Sequence, residues 1–187
     1  RGRALQEITA DPGGWLVLEL TDQPFWLGAA GAAGTFPILF FALAGGIAAD
    51  RFSRRRMLMA TSSLAILITF VLAVLTHGKW ITVTEVLVLA FLLGTVKAIE
   101  MPVHQSFVVE MVGREDLPNA IALNSSTFNT ARVLGPAVAG LVVAAAGIAS
   151  CFYLNAASYL PVVGALAMMS GLQERPQRKT SSVLEDL

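Results

Sequence analysis

The stretch "GGIAADRFSRRR" (residues 45–56) decides the fold of this chain. It ends an uncharged run from residue 26 to residue 49 with an aspartate, which four arginines follow within six residues. Two dozen apolar residues followed by a basic cluster are typical of a membrane-crossing helix whose inner end is anchored by positive charge. A soluble core helix has no need of such an end.

The composition agrees with a lipid bilayer as the solvent. Of the 187 residues, 55% are hydrophobic and 14% are charged, and the mean hydropathy is +0.67. Ordinary soluble domains have about a quarter of their residues charged. The net charge is zero, which argues against a general affinity for nucleic acid. The single cysteine, Cys151, excludes an internal disulfide.

No motif in the sequence indicates an enzyme. It contains no G-x-x-x-x-G-K-[ST] phosphate loop, no H-E-x-x-H motif and no paired catalytic carboxylates. His77 and His104 have no second metal ligand at a useful spacing. We therefore expect neither enzymatic activity nor a bound cofactor or metal.

The apolar runs predict an all-α membrane protein, because a helix needs roughly 20 mostly apolar residues to cross the hydrocarbon core. The segment "WLVLEL" is too short to cross and suggests the end of a first helix that is truncated or atypical. Residues 1–13 are expected to be an atypical or non-native start, and residues 173–187 the start of a cytoplasmic linker. The predicted spans are 14–21 (partial), 26–49, 57–76, 80–101, 120–146 and 150–172.

The distribution of basic residues predicts the orientation. The 50–56 loop contains four Lys and Arg residues, the 102–118 loop one and the tail three, whereas the alternate loops contain only Lys79. By the positive-inside rule, residues 50–56 (hereafter the basic loop) and the C-terminal end face the cytoplasm. Between the fourth and fifth spans, apolar residues at helical spacing predict a short separate helix at the interface; they are Val103, Phe107, Val108 and Met111.

The basic loop contains the pattern G-x-x-x-D-R-x-x-R-R, formed by Gly46, Asp50, Arg51, Arg54 and Arg55. This pattern resembles the signature loop of the major facilitator superfamily of secondary transporters. The stretches "WLVLELT", "REDLPNAIALNSSTFNTARVLGPAVAG" and "CFYLNAASY" are similar to its enterobactin-exporter-like, transmembrane secretion effector branch. The resemblance implies twelve helices in two halves, of which this chain is the amino-terminal six-helix half.

The resemblance also implies that the basic loop is a latch, that is, a set of contacts that hold the cytoplasmic side closed against the other half. Asp50 and Arg54 are four residues apart and can pair on a continuing helix. Glycine at position 46 is expected to let a neighbouring helix approach closely. The family usually has glycine where Ser53 stands. The predicted latch residues are Gly46, Asp50, Arg51, Arg54, Arg55 and Glu100, the last at a depth from which it can reach the Arg54 region.

A polar stripe runs along the fifth span at helical spacing and includes Ser125, Asn129, Arg132, Pro136 and Gly140. A charge at the bilayer centre costs about 2.5–3.5 kcal/mol on insertion scales, so Arg132 is expected to face protein or a wet cavity. A buried hydrogen-bond network and a cavity lining both remain open, and Asn155 on the sixth span is expected to join such an intramembrane network. The stretch "ARVLGPAVAG" partly matches the antiporter motif, in which Gly135, Pro136 and Gly140 serve helix packing; this favours export.

The sequence therefore predicts half of a secondary active transporter, driven by a proton or other ion gradient. It would export small amphipathic molecules such as siderophores or drugs by alternating access, from the bacterial inner membrane. Its expected partners are the lipid bilayer, a small-molecule substrate and the carboxy-terminal half of the same transporter. Two alternatives remain open: a non-transporting membrane scaffold or partner subunit, and an uptake transporter of the same superfamily.

Overall fold

The computed structural model describes residues 12–113 and 115–169, and within them it describes residues 42–44, 47–51 and 110 by their backbone alone. These residues form helices and no β-strand. The predicted linker at 173–187, and all but the last two residues of the predicted start at 1–13, lie outside the described residues. In chain order the helices are α1 (Pro12–Thr21), α2 (Pro24–Arg51), α3 (Arg54–His77), α4 (Val83–Val112), α5 (Leu117–Ala146), α6 (Ile148–Ser158) and α7 (Leu160–Met168).

Five of the described segments are long and apolar enough to cross a membrane. Large apolar side chains stay exposed along them; Leu39 is 77% exposed and Leu141 is 72% exposed. A soluble protein does not expose apolar surface on this scale. The prediction of an all-α membrane fold is confirmed. The segments are Pro24–Phe41 in α2, Arg54–His77, Val83–Val109 in α4, Leu117–Ala146, and Ile148–Met168, which joins α6 and α7.

The helix boundaries follow from local chemistry. α2 begins at Pro24 and α5 has a proline in its first turn, where the missing N–H costs nothing. Thr82 and Glu85 form a reciprocal capping box at the start of α4. Gly113 and Gly147 end α4 and α5 with φ angles of 80° and 79°, a conformation that favours glycine.

The prediction of a separate interfacial helix over residues 103–111 is wrong. α4 runs without a break from Val83 to Val112, with Pro102 inside it. Val103 is fully buried and packs with Leu58 of α3 and Leu166 of α7. Neighbouring helices therefore support α4 beyond the proline, as they commonly do in membrane bundles.

The sixth predicted span consists of two helices in the structure. α6 ends and α7 begins at Tyr159, which serves as the cap residue of both, and α7 has a proline in its first turn. Pro161 cannot donate a helical hydrogen bond, which accounts for a break at this point.

Apolar clusters at three depths hold the described helices together. The cluster nearest the basic loop joins α3, α4 and α7, a middle cluster joins α3 and α4, and the third, at the opposite end, joins α1, α3, α4 and α6. α5 contrasts with this core, since none of its residues is buried. The buried members are Leu58, Val103 and Leu166; Ala65, Ile68 and Val96; and Leu16, Val17, Ala73, Ile81, Val86 and Phe152.

Glycines set the distance between α2 and α4, which pack against each other along much of their length. A Cβ atom on Gly94 would overlap the carbonyl oxygen of Gly34 and lie 2.9 Å from its carbonyl carbon. The backbones thus meet directly, which is how helices associate tightly where lipid supplies no hydrophobic driving force.

Candidate functional site

The arginines of the basic loop connect the ends of three helices. Arg54 Nη1 donates a hydrogen bond of 3.1 Å to the backbone carbonyl of Ser106 on α4. Arg55 Nε donates to the carbonyl of Leu166 at 2.6 Å, and its Nη2 donates to that of Ala167 at 3.1 Å. Two neighbouring arginines at the start of α3 therefore contact α4 and α7 separately.

Arg55 stabilises the end of α7 by satisfying carbonyls that lack a helical partner. The last four carbonyls of a helix have no intrahelical donor, and they carry the negative end of the helix dipole. The planar guanidinium offers two donors in a fixed geometry and contacts both carbonyls at once. This contact attaches the end of α7 to the start of α3.

Asp50 and Arg51 end α2 in the structure, but their side chains lie outside the described residues. The backbone of α2 continues through both residues, and α3 begins at Arg54. The turn between the two helices thus contains only Phe52 and Ser53. The latch roles of Asp50 and Arg51 remain predictions.

The close helix approach expected at Gly46 occurs at Gly45 instead. A Cβ atom on Gly46 would meet no atom of the described residues within 4 Å. A Cβ atom on Gly45 would lie 2.8 Å from the carbonyl oxygen of Ala98 and 3.1 Å from Cα of Ile99. The two glycines point to different sides of α2, because successive residues on a helix are about 100° apart.

Glu100 contacts α3 rather than Arg54 in the part of the chain that the structure describes. Its Oε1 accepts a hydrogen bond from the fully buried Ser62 at 3.4 Å, which is long for a hydroxyl donor. This hydrogen bond is a polar contact between α3 and α4.

The predicted polar stripe on α5 is exposed. Asn129 and Arg132 are exposed and make no hydrogen bond or ion pair with other described residues. Asn155 on α6 is exposed too, and its backbone carbonyl accepts from Ser158 Oγ at 2.7 Å. The described residues do not bring Asn155 to Arg132, so a shared network remains a prediction.

The packing motif on α5 borders a shallow apolar cavity. A Cβ atom on Gly135 or Gly140 would meet nothing within 4 Å, so neither glycine makes a close helix contact among the described residues. Between α5 and α1 lies a cavity of about 230 Å³. Its lining consists of Pro12 and Trp15 from α1 with Pro136, Ala139, Gly140, Val143 and Ala144 from α5.

Several site residues were not anticipated from the sequence. Ser106, Leu166 and Ala167 take part through backbone carbonyls, which have no residue-type signal. Gly45 is not separable from Gly46 by spacing within the motif. Ser62 lies in a run of three hydroxyl residues, Thr61 to Ser63, within a mostly apolar span, and this run was a detectable signal.

The helical bundle, with a basic loop joining α2 to α3, defines a multi-pass membrane protein of the major facilitator type. The chain belongs to the transmembrane secretion effector family of that superfamily, whose profile matches residues 2–185. The match includes most of the predicted atypical start. The relatives are transporters rather than enzymes, which confirms the prediction that the chain is not an enzyme.

Named relatives of this chain transport different compounds. It is 29% identical to the staphyloferrin A transporter of Staphylococcus aureus over 80% of this chain and 38% of that protein. It is 27% identical to the multidrug efflux pump Tap of Mycolicibacterium fortuitum over 83% of this chain and 39% of that protein. A Na(+), Li(+), K(+)/H(+) antiporter of Planococcus maritimus is 33% identical over 50% of this chain and 22% of that protein. The chain thus spans about two fifths of the first two relatives. No solved structure matches the chain significantly.

Proposed function

We propose that this chain acts as the amino-terminal half of a secondary active exporter of small amphipathic molecules. The observation that carries the proposal is the family match over residues 2–185, which includes the whole helical bundle. A multidrug efflux pump and a siderophore transporter among the relatives support an amphipathic substrate. The cation/proton antiporter supports an ion gradient as the energy source, with no cofactor.

The proposed mechanism is alternating access, with substrate held between this half and a carboxy-terminal half. The exposed polar face of α5 supports this arrangement, because Asn129 and Arg132 need protein or water rather than lipid around them. The second half would cover that face. Rocking of the two halves would then open the substrate site to each side in turn.

In this mechanism the basic loop is the cytoplasmic latch. Arg54 and Arg55 attach the basic loop to α4 and α7, which restricts the position of Asp50 relative to these helices. A contact made in only one state changes the populations by its own free energy, and about 1.4 kcal/mol changes their ratio tenfold. The latch therefore needs only one or two good hydrogen bonds.

We also propose that the protein lies in the bacterial inner membrane with the basic loop and the chain's end in the cytoplasm. The number of basic residues on that side supports this orientation. Phe52 and His77 are exposed at opposite ends of α3. An impermeant maleimide should label Phe52→Cys and His77→Cys from opposite sides of the membrane, in a background with Cys151→Ala.

Transport into everted vesicles tests the proposed function. In vesicles that contain the full-length protein, an imposed proton gradient should drive accumulation of a fluorescent amphipathic cation, and an uncoupler should abolish it. Asp50→Asn should insert normally and reduce accumulation, whereas Asp50→Glu, which keeps the charge, should retain part of it. Gradient-driven movement in the opposite direction would establish an uptake transporter. Accumulation of this dye and of a ferric siderophore that equals that of empty vesicles, with and without the gradient, would contradict transport.

A further inference from the structure

The glycine pair at the start of the motif is asymmetric. Gly45 is buried against α4, whereas Gly46 is half-buried and has open space beside it. A side chain at position 45 would also lie 3.2 Å from Cγ of Pro102. A side chain at position 45 therefore requires a shift of α2 or α4, whereas the described residues leave room for one at position 46.

Pro102 explains why α2 comes so close at this level. Proline has no N–H, so the carbonyl of Ala98, four residues earlier, cannot receive its usual helical hydrogen bond. That carbonyl oxygen is the atom that a Cβ on Gly45 would meet at 2.8 Å. At Gly45 the α2 backbone therefore contacts α4 where this helical hydrogen bond is missing, and it shields the Ala98 carbonyl from lipid.

In the sequence, Asp50 lies between two contacts with α4. Gly45 meets Ala98 before it, and Arg54 donates to the carbonyl of Ser106 after it. Asp50 is five residues beyond Gly45 on the same helix, about 7.5 Å along its axis. The depth and rotation of α2 at Gly45 therefore determine where Asp50 is presented.

We propose that Gly45 is a positioning residue for the latch: its lack of a side chain seats α2 on the Pro102 level of α4 and so places Asp50 and the basic loop. The proposal rests on the latch function proposed above. A second contact, between Gly34 and Gly94, lies about 16 Å further along α2. Two contacts on one helix restrict both its sliding and its rotation, and only the one at Gly45 adjoins the loop.

The test compares alanine at two glycines of α2, Gly45 and Gly31, in the full-length protein. Phe52→Cys, 65% exposed in the turn after Asp50, reports the state of the basic loop through its rate of labelling by a maleimide. His77→Cys at the other end of α3 is the reference site. Gly45→Ala should change the labelling rate at position 52 by about threefold or more, without changing that at 77, and should reduce transport. Gly31→Ala, at a glycine of α2 whose Cβ would meet nothing within 4 Å among the described residues, is the control and should leave both readouts at the wild-type level.

Further variants separate the possible failures. Pro102→Ala keeps Gly45 but gives the Ala98 carbonyl a donor, and it should also change labelling at position 52; this variant decides the matter if Gly45→Ala does not accumulate. Unchanged labelling in Pro102→Ala, or equal effects of Gly31→Ala and Gly45→Ala on labelling at position 52, would overturn the proposal. Asp50→Asn distinguishes a failure of the latch from a failure of the positioning role. If Asp50→Asn alters labelling at position 52 and Gly45→Ala does not, the latch stands and the positioning role fails. If neither does, the latch itself fails.

Discussion

At the residue scale, identical side chains in the basic loop have different tasks. Arg54 and Arg55 are adjacent, yet one donates to α4 and the other to α7. The acceptors in these hydrogen bonds are backbone carbonyls, so the contacts depend on how the helices pack rather than on which residues stand there. The guanidinium group suits this task, because it donates in two directions and cannot lose its charge.

Arg55→Lys isolates the geometry of the guanidinium group from its charge. Lysine keeps the positive charge that sets orientation, but a single ammonium group cannot reproduce the two directed hydrogen bonds to Leu166 and Ala167. We expect the free energy of unfolding in mild detergent to fall by about 1 kcal/mol with topology unchanged. Thermal unfolding together with maleimide labelling measures both. A variant as stable as the wild type would show that the end of α7 does not depend on this contact.

At the scale of the helix, two N-cap residues of the same chemical kind differ in what they contribute. Thr82 accepts from the backbone N–H of Glu85, and the Glu85 carboxylate accepts from the N–H of Thr82 at 2.7 Å. Ser53 caps α3 with a backbone of suitable shape, but its buried hydroxyl has no hydrogen-bond partner among the described residues.

Alanine at these two caps should therefore have unequal effects. Thr82→Ala removes a working cap and should lower the free energy of unfolding by about 1 kcal/mol. Ser53→Ala removes a hydroxyl that was desolvated without compensation, so stability should stay within about 0.5 kcal/mol of the wild type or rise slightly. Parallel thermal unfolding in one detergent measures the pair. Equal losses would mean that the Ser53 hydroxyl does form a cap bond in the membrane.

The helices were predictable because apolar length and basic loops are strong signals in a bilayer. The helix ends were less predictable. The apolar spacing from Val103 to Met111 predicted a separate helix, but Val103 is buried and α4 is continuous to Val112. The arginines of the site were visible in the sequence, whereas their carbonyl acceptors were not. Gly45 and Gly46 differ only in rotation about α2, which no local pattern fixes and which packing against α4 decides.

At the scale of the whole molecule, α5 has a polar face that needs a further layer of protein over it. Pro136 and Gly140 line the cavity towards α1, and Asn129 and Arg132 continue the same face by helical spacing. The other side of α5 is apolar and exposed, with Leu134, Val138 and Leu141 between 56% and 72% exposed. The helix thus has one side suited to lipid and one side that is not.

Exchanging charge between these two sides tests which one faces lipid. Arg132 lies midway along α5, where a charge in lipid costs about 2.5–3.5 kcal/mol, and Leu134 lies about 200° around the helix from it. In the full-length protein, Leu134→Arg should therefore reduce the amount inserted in the membrane. Arg132→Leu should insert as well as the wild type but lose most gradient-driven export, because its polar contacts with the other half or the substrate are gone. Immunodetection in membranes and vesicle transport measure the two outcomes. If Arg132 faced lipid instead, its replacement by leucine would increase insertion and leave export intact, and the proposed second protein layer over this face of α5 would have to be given up.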